Sequence, residues 1–255
     1  MERKDSHKRE ETIVGRNAVW EALRSGRAID SIIVARGNRT GAVAPILAKA
    51  REKGIAIKEA DARKLDFMCG GAVHQGVVAV AAAHAYANME DIFDLAHKRE
   101  EPPFVIVADE LEDPQNLGAL LRTAECAGVH GVIIPRRRAA GLTYAVGKAS
   151  AGAVEYVPVV RVANIAATLE DLKKRGLWIY GADMDGEAWC QCDLKGPVAL
   201  VVGNEGSGIS RLVKEKCDVM LSLPMQGKIS SLNASVAAGV IMYEIARQRL
   251  GIRAK

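Results

Sequence analysis

Three runs of uninterrupted apolar residues, FVIVA at 104–108, GVIIP at 131–135 and VALVV at 198–202, constrain this chain more than anything else in it. A strand with one face in water alternates apolar and polar residues, whereas a strand covered on both faces reads as a continuous apolar run. Between the first two lies DPQNLGALLRTAECAG, in which Asp113-Pro114 is a strong helix start and Gly128 a stop. Strand, helix and strand at this spacing make a βαβ unit, which predicts a parallel sheet covered by helices. VPVVRV, the helix NIAATLEDLKKRG and the strand LWIYGAD extend it, and EAWCQCDLKGP is expected to be irregular.

The chain of 255 residues divides at Glu100-Glu101-Pro102-Pro103. Residues 12–84 alternate short strands and helices: Asn17 is the expected cap of AVWEALRSG, SIIVAR and IAIKEA are strands, VAPILAKAREKG and ARKLDFMCGG helices, and GVVAVAAA a last strand. They predict a small N-terminal α/β domain. Residues 85–103 are a linker containing a helix capped by Asn88, and residues 104–255 form the parallel-sheet domain. The charged segment MERKDSHKREE, residues 1–11, is expected to be a flexible tail and has no apolar stretch suited to a signal peptide.

Five dispersed cysteines include a single C-x-C at Cys190 and Cys192 and no zinc spacing, so they are expected to be reduced thiols of a cytoplasmic protein. A net charge of +4 permits an acidic partner without demanding one. Arg136, Arg137 and Arg138, at the end of a strand, offer a compact cation site for phosphates, although a solvated loop accounts for them equally. Arg16, Arg24, Arg27, Arg36, Arg39 and Lys49 are scattered through the first domain, where Trp20 and Phe67 are too few to signal base stacking.

Beyond the third apolar run comes LVVGNEGSGIS, residues 200–210. Gly203, Gly206 and Gly208 are spaced G-x-x-G-x-G, the wrong order for a dinucleotide fingerprint, and no G-K-[ST] follows. Glu205 would repel a phosphate, so the turn suits a ligand carrying none beside it. In the next passage, LPMQGKISSLNASVAAG at 223–239, Ser231 and Asn233 stand at a helix start, where capping alone accounts for either. Ala234, Ala237, Ala238 and Gly239 would let another backbone approach that helix. On the helix after Asp113, Leu117, Leu120, Leu121 and Ala124 share a face, Arg122 falls opposite it, and Asn116 lies in the first turn.

Residues 113–128, 200–210 and 223–239 together resemble the three motifs of the SpoU/TrmH family (SPOUT class) of RNA 2′-O-ribose methyltransferases, in the family's order. IVGRNAVWEAL and HQGVVA resemble the substrate-binding domain that precedes many members, and the general pattern is most like the branch that modifies a guanosine in large-subunit ribosomal RNA. The resemblance implies an α/β catalytic domain closed by a trefoil knot, S-adenosylmethionine as cofactor without a metal, and a homodimer. It implies a functional polar set of Asn116, Arg122, Glu205, Ser231 and Asn233, with Gly203, Leu223, Met225 and Leu232 beside the cofactor. Methylation of transfer RNA and a non-catalytic RNA-binding or assembly role are the alternatives. A nicotinamide enzyme is disfavoured, because neither domain's first βα turn carries G-x-G-x-x-G.

Overall fold

The computed structural model describes residues 10–38, 41–82 and 84–252, in two compact units. Residues 1–9 of the expected tail lie outside the described residues, as does Arg39.

The first unit holds four strands, β1 (Glu10–Val14), β2 (Ile29–Ala35), β3 (Ala56–Ala60) and β4 (Val77–Ala82), in the order β1-β4-β2-β3. Only β2 and β3 run parallel. β1 begins at Glu10, two residues before the expected domain start. Helices α1 (Arg16–Ser25) and α2 (Ala44–Glu52) bury Val19, Leu23, Ile46 and Leu47 against Ile32, Val34, Val77 and Ala79, and α3 (Ala62–Met68) buries Leu65 against another small cluster. Helix α1 starts after Gly15, at φ 93°, and not at Asn17; its stop at Gly26, at φ 83°, is the expected one.

The second unit begins at Tyr86, within the expected linker. Helix α4 (Met89–Lys98) is opened by a capping box of Asn88 and Asp91, and its Ile92 joins the core of the large sheet. That sheet comprises β5 (Phe104–Ala108), β6 (Gly131–Pro135), β7 (Val159–Val162), β8 (Trp178–Ala188), β9 (Val198–Val202) and β10 (Val219–Ser222). Its order is β10-β8-β9-β5-β6-β7 and every pairing is parallel. Strand β8 continues through residues expected to be irregular, because its outer half pairs with β10 across a register shift.

Helix α5 (Pro114–Cys126) is capped as expected, Gln115 N donating to Asp113 Oδ1 at 3.0 Å. The following helices are α6 (Tyr144–Ala149), α7 (Ile165–Lys174), α8 (Arg211–Lys214) and α9 (Ala234–Arg249). One face of the sheet buries Val105, Val107, Ile133 and Val201 against Ile165, Leu169 and Leu172 of α7. On the other, α5 packs on α9, with Thr123 beside Gly239. Among the described residues no helix is long and apolar enough to cross a membrane.

Residues 142–156, α6 included, belong to the first unit, not to the parallel-sheet unit that flanks them in sequence. Glu155 holds them there: its Oε1 accepts from Arg27 at 2.8 Å and lies 3.1 Å from His84 Nε2, and all three side chains are nearly buried. Burial alone would raise the Glu155 carboxyl, but the hydrogen bond and charge of His84, with the charge of Arg27, hold it below its usual value. A carboxyl lowered by folding contributes stability above its unfolded pKa and loses it as pH falls through the folded one. Removing one partner of a buried pair costs about 3–5 kcal/mol. Glu155→Gln is therefore expected to lower the unfolding temperature in calorimetry at neutral pH. It should also blunt the loss of stability that the unaltered protein shows as pH falls below about 4.

Candidate active site

The strand ends of a parallel sheet share one edge, and from β5, β9 and β10 issue the turns that form the site. After β9 the chain folds back at once: Asn204 N donates to Gly208 O at 3.0 Å and Gly208 N to Asn204 O at 2.9 Å. A Cβ at Gly203 would collide with the backbone of Gly208 and Ile209, so only glycine closes this turn. Two bonds fix the turn to the end of β5. Asn204 Nδ2 donates to Glu110 O at 3.0 Å, and Ser210 N donates to Oδ2 of the buried Asp109 at 2.8 Å.

The turn thereby presents Glu205 to the first turns of two helices. Asn116 Nδ2, on α5, donates to Glu205 Oε1 at 2.7 Å, and Asn233 Nδ2, at the cap of α9, donates to the same oxygen. Asn233 Nδ2 also donates to Asn116 Oδ1 at 2.8 Å. Asn233 Oδ1 meanwhile caps α9, accepting from Ser235 N at 3.0 Å and from Val236 N. Asn233 is both cap and site residue. Ser235 Oγ completes the set, 2.6 Å from Asn233 Oδ1 and 3.4 Å from Asn116 Oδ1. A negative group at two helix N-termini is electrostatically favoured. Glu205 Oε2 makes no hydrogen bond among the described residues.

Beside this network opens a cavity of about 600 Å³, lined by Gly203, Glu205, Leu223, Met225, Ser231 and Leu232 among others. Met225 is 37% and Leu232 42% exposed, a large apolar surface for a loop. Asp183, beyond the regular part of β8, also lines it and pairs with Lys214 at 2.8 Å. Burial alone would raise the Asp183 carboxyl; the hydrogen bonds of Lys214 and the Asp185 backbone N–H outweigh it and hold it low. Ligand pockets of this kind combine apolar walls with a few placed polar groups.

The structure thus joins Asn116, Glu205 and Asn233 by hydrogen bonds, and brings Gly203, Leu223, Met225, Ser231 and Leu232 to one cavity with Glu205. Arg122 stays apart: it is exposed on α5 and makes no hydrogen bond or ion pair among the described residues. Ser231 lines the cavity without joining the network. Arg136, Arg137 and Arg138 are all exposed, and Arg138 is paired with Glu110 at 3.0 Å. The sequence pointed to none of Ser235, Asp109 and Asp183; for Ser235 alone there was a local signal, its place in the first turn after a capping asparagine. All five cysteines are free, and among the described residues no group of three or more His, Cys, Asp or Glu is placed to hold a metal ion.

Residues 103–243 match the SpoU rRNA Methylase family, and residues 12–87 match the RNA 2′-O ribose methyltransferase substrate-binding family. The chain is 49% identical over 238 residues to YacO, described as a TrmH family tRNA/rRNA methyltransferase of Bacillus subtilis (strain 168), covering 93% of this chain and 95% of that one. Among solved structures it resembles the SpoU methyltransferase AviRb of Streptomyces viridochromogenes in complex with AdoMet, with a TM-score of 0.79 and 25% identity over 96% of this chain and 92% of that chain. A structure described as an RNA 2′-O ribose methyltransferase gives a TM-score of 0.78 and 27% identity over 98% and 93%.

Because a side chain at position 203 must force the turn open, Gly203→Ala is expected to weaken S-adenosylhomocysteine binding by more than about tenfold in titration calorimetry, or about 1.4 kcal/mol. An unchanged affinity would detach this turn from the cavity's ligand.

Proposed function

Since the chain belongs to the SpoU rRNA methylase family, and is therefore an S-adenosylmethionine-dependent RNA methyltransferase, we propose that it methylates a ribose 2′-hydroxyl, that of a guanosine in large-subunit ribosomal RNA. The observation that carries the reading is the network on Glu205, which ties the three motif passages together at the mouth of one cavity. The lining suits this cofactor. Leu223, Met225 and Leu232 offer apolar surface to an adenosine, while the carboxylates of Glu205 and Asp183 favour a cationic sulfonium or ammonium over a phosphate. When bound, S-adenosylmethionine supplies an electrophilic methyl group.

The chain's own residues then have three tasks. Gly203 and the turn it closes shape the cavity that would hold the cofactor beside the acceptor, and positioning of that kind supplies a large share of an acceleration. Arg122 holds the target ribose or its phosphate and stabilises negative charge developing on the oxygen. Glu205 Oε2 is the open proton acceptor of the set, with Asn116 and Asn233 orienting it while Ser231 faces the same cavity. Arg136 and Arg137, with Arg138 beside them, take flanking RNA phosphates.

The remaining parts of the reading have their own supports. Strand β10 lies beyond β8, while α9, which follows it, packs back on α5 and β9; this course supports a trefoil-knotted segment around residues 200–233. Val236, Val240 and Tyr243 form an exposed apolar line on α9, which supports a homodimer through that helix. Free thiols support a cytoplasmic location. Transfer RNA is the second reading, favoured by the description of YacO as a tRNA/rRNA enzyme. The presence of all five polar residues weighs against a non-catalytic role.

Incubation with labelled S-adenosylmethionine and unmodified ribosomal or transfer RNA, followed by mass spectrometry, is expected to locate one 2′-O-methylguanosine in the large-subunit RNA. A base-methylated product, or none, would overturn the reading. Arg122→Ala and Glu205→Gln are each expected to slow single-turnover transfer by about 10²–10⁴-fold, with S-adenosylhomocysteine affinity staying within about threefold in Arg122→Ala. Transfer at the unaltered rate would remove either residue from its assigned role.

A further inference from the structure

Helix α3 is two-faced. One side places Leu65 and the adjoining Cys69 in a buried cluster, while the other presents Arg63, Lys64 and Phe67 to solvent. Positions three and four apart are neighbours on a helix surface, so both cations flank the aromatic ring. Phe67 is 88% exposed, more than any other large apolar side chain among the described residues. Trp20, the other aromatic considered for stacking, is instead packed against the core of the first unit.

The nearby acids are already engaged. Asp61 pairs with Arg36 at 3.4 Å, and Asp66 with His74 at 3.2 Å. The side chains of Arg63 and Lys64 make no ion pair or hydrogen bond among the described residues. The mount is firm: Cys69 N donates to Leu65 O at 2.9 Å, and Gly71 N donates to Asp66 O at 3.1 Å where two left-handed glycines end the helix. The result is a bare aromatic ring between two unengaged cations, within the residues that match an RNA substrate-binding family.

We propose that Phe67 is a stacking platform for an unpaired nucleobase of the substrate RNA, with Arg63 and Lys64 on the flanking phosphates. An aromatic face accepts any base, and the phosphates on either side of a splayed base match cations on either side of the ring. A protein partner would require a broader apolar patch, and Phe67 is instead bordered by charge. The platform gives the first unit a preference for single-stranded or looped RNA, which scattered basic residues alone would not confer. It rests on the reading of the chain as an RNA methyltransferase and concerns RNA capture, not methyl transfer.

The test uses the full chain, a short fluorescein-labelled single-stranded RNA and the same sequence as a perfect duplex, with affinity read by anisotropy. Phe67→Ala and Phe67→Leu are expected to weaken single-strand binding by about 5–100-fold, with Phe67→Trp at least as tight as the unaltered protein. Duplex binding and S-adenosylhomocysteine affinity should stay within about twofold in each variant. Arg63→Ala and Lys64→Ala should each lower the salt dependence of single-strand binding by about 0.7 in log–log slope, and Phe67→Ala should not. Unchanged single-strand affinity in Phe67→Ala, full activity of Phe67→Leu, or dissociation of a dimer by Phe67→Ala in sedimentation would overturn the platform. In those cases RNA methylation by the unaltered protein would leave the functional reading standing. Failure of the unaltered protein to bind RNA at all would overturn both.

Discussion

The shared acceptor of two side-chain amides, Glu205 Oε1, is the point on which the catalytic half of this chain depends. Its donors are 89 and 28 residues away in sequence, and each sits at the start of a helix whose remaining length is fixed by packing. The chemistry of the three side chains is tightly specified. Asn233 must accept with one end, to cap α9, and donate with the other, to reach Glu205. Aspartate would cap as well but would set a second carboxylate against the first. Asn116 likewise donates to Glu205 while accepting from Asn233, which neither an acid nor an apolar side chain can do. A hydrogen bond to a charged group contributes about 1.5–3 kcal/mol where it is shielded from water. On these loops that energy acts chiefly by selecting one arrangement of the turn among many.

The sheet makes this meeting possible. In an all-parallel sheet the turns after β5, β9 and β10 emerge on the same edge whatever the sequence separation of the strands. Strands β5 and β9 are neighbours, so Asp109 and Glu110 at the end of one can hold the turn at the end of the other. Gly203 removes the last steric obstacle to that closure.

Much of this was legible in the sequence, where the physics is local. FVIVA, GVIIP and VALVV form β5, β6 and β9 at their expected limits, because a fully buried strand has no polar residue to blur its ends. The cap at Asp113 also follows from short-range hydrogen bonding. What escaped depends on distant partners. The start of α1 passed to Gly15, whose left-handed φ no local cap rule around Asn17 foresees. The outer half of β8 is a strand because β10 lies beside it. The expected linker contributes Ile92 to a core it meets only in three dimensions, and residues 142–156 join the first unit through Glu155, 128 residues from Arg27. In the site, residue types were legible and their geometry was not. Helix periodicity sets Arg122 opposite the buried face and Asn116 in the first turn, but nothing local shows that Asn116 meets Glu205.

The isolation of Arg122 fits the way charge is divided across the second unit. The cavity carries carboxylates, Glu205 with one open oxygen and Asp183 screened by Lys214, whereas Arg122, Arg136 and Arg137 stand exposed without acid partners among the described residues. A polyanion meeting this surface is attracted to the arginines and repelled at the cavity mouth. Its phosphates are therefore disfavoured there, and an uncharged or cationic group can approach Glu205 more readily. An arginine drawn into the network on Glu205 would neutralise that carboxylate and forfeit the discrimination. Keeping the cation outside and the amides inside separates the groups that attract a polyanion from those that face the cavity.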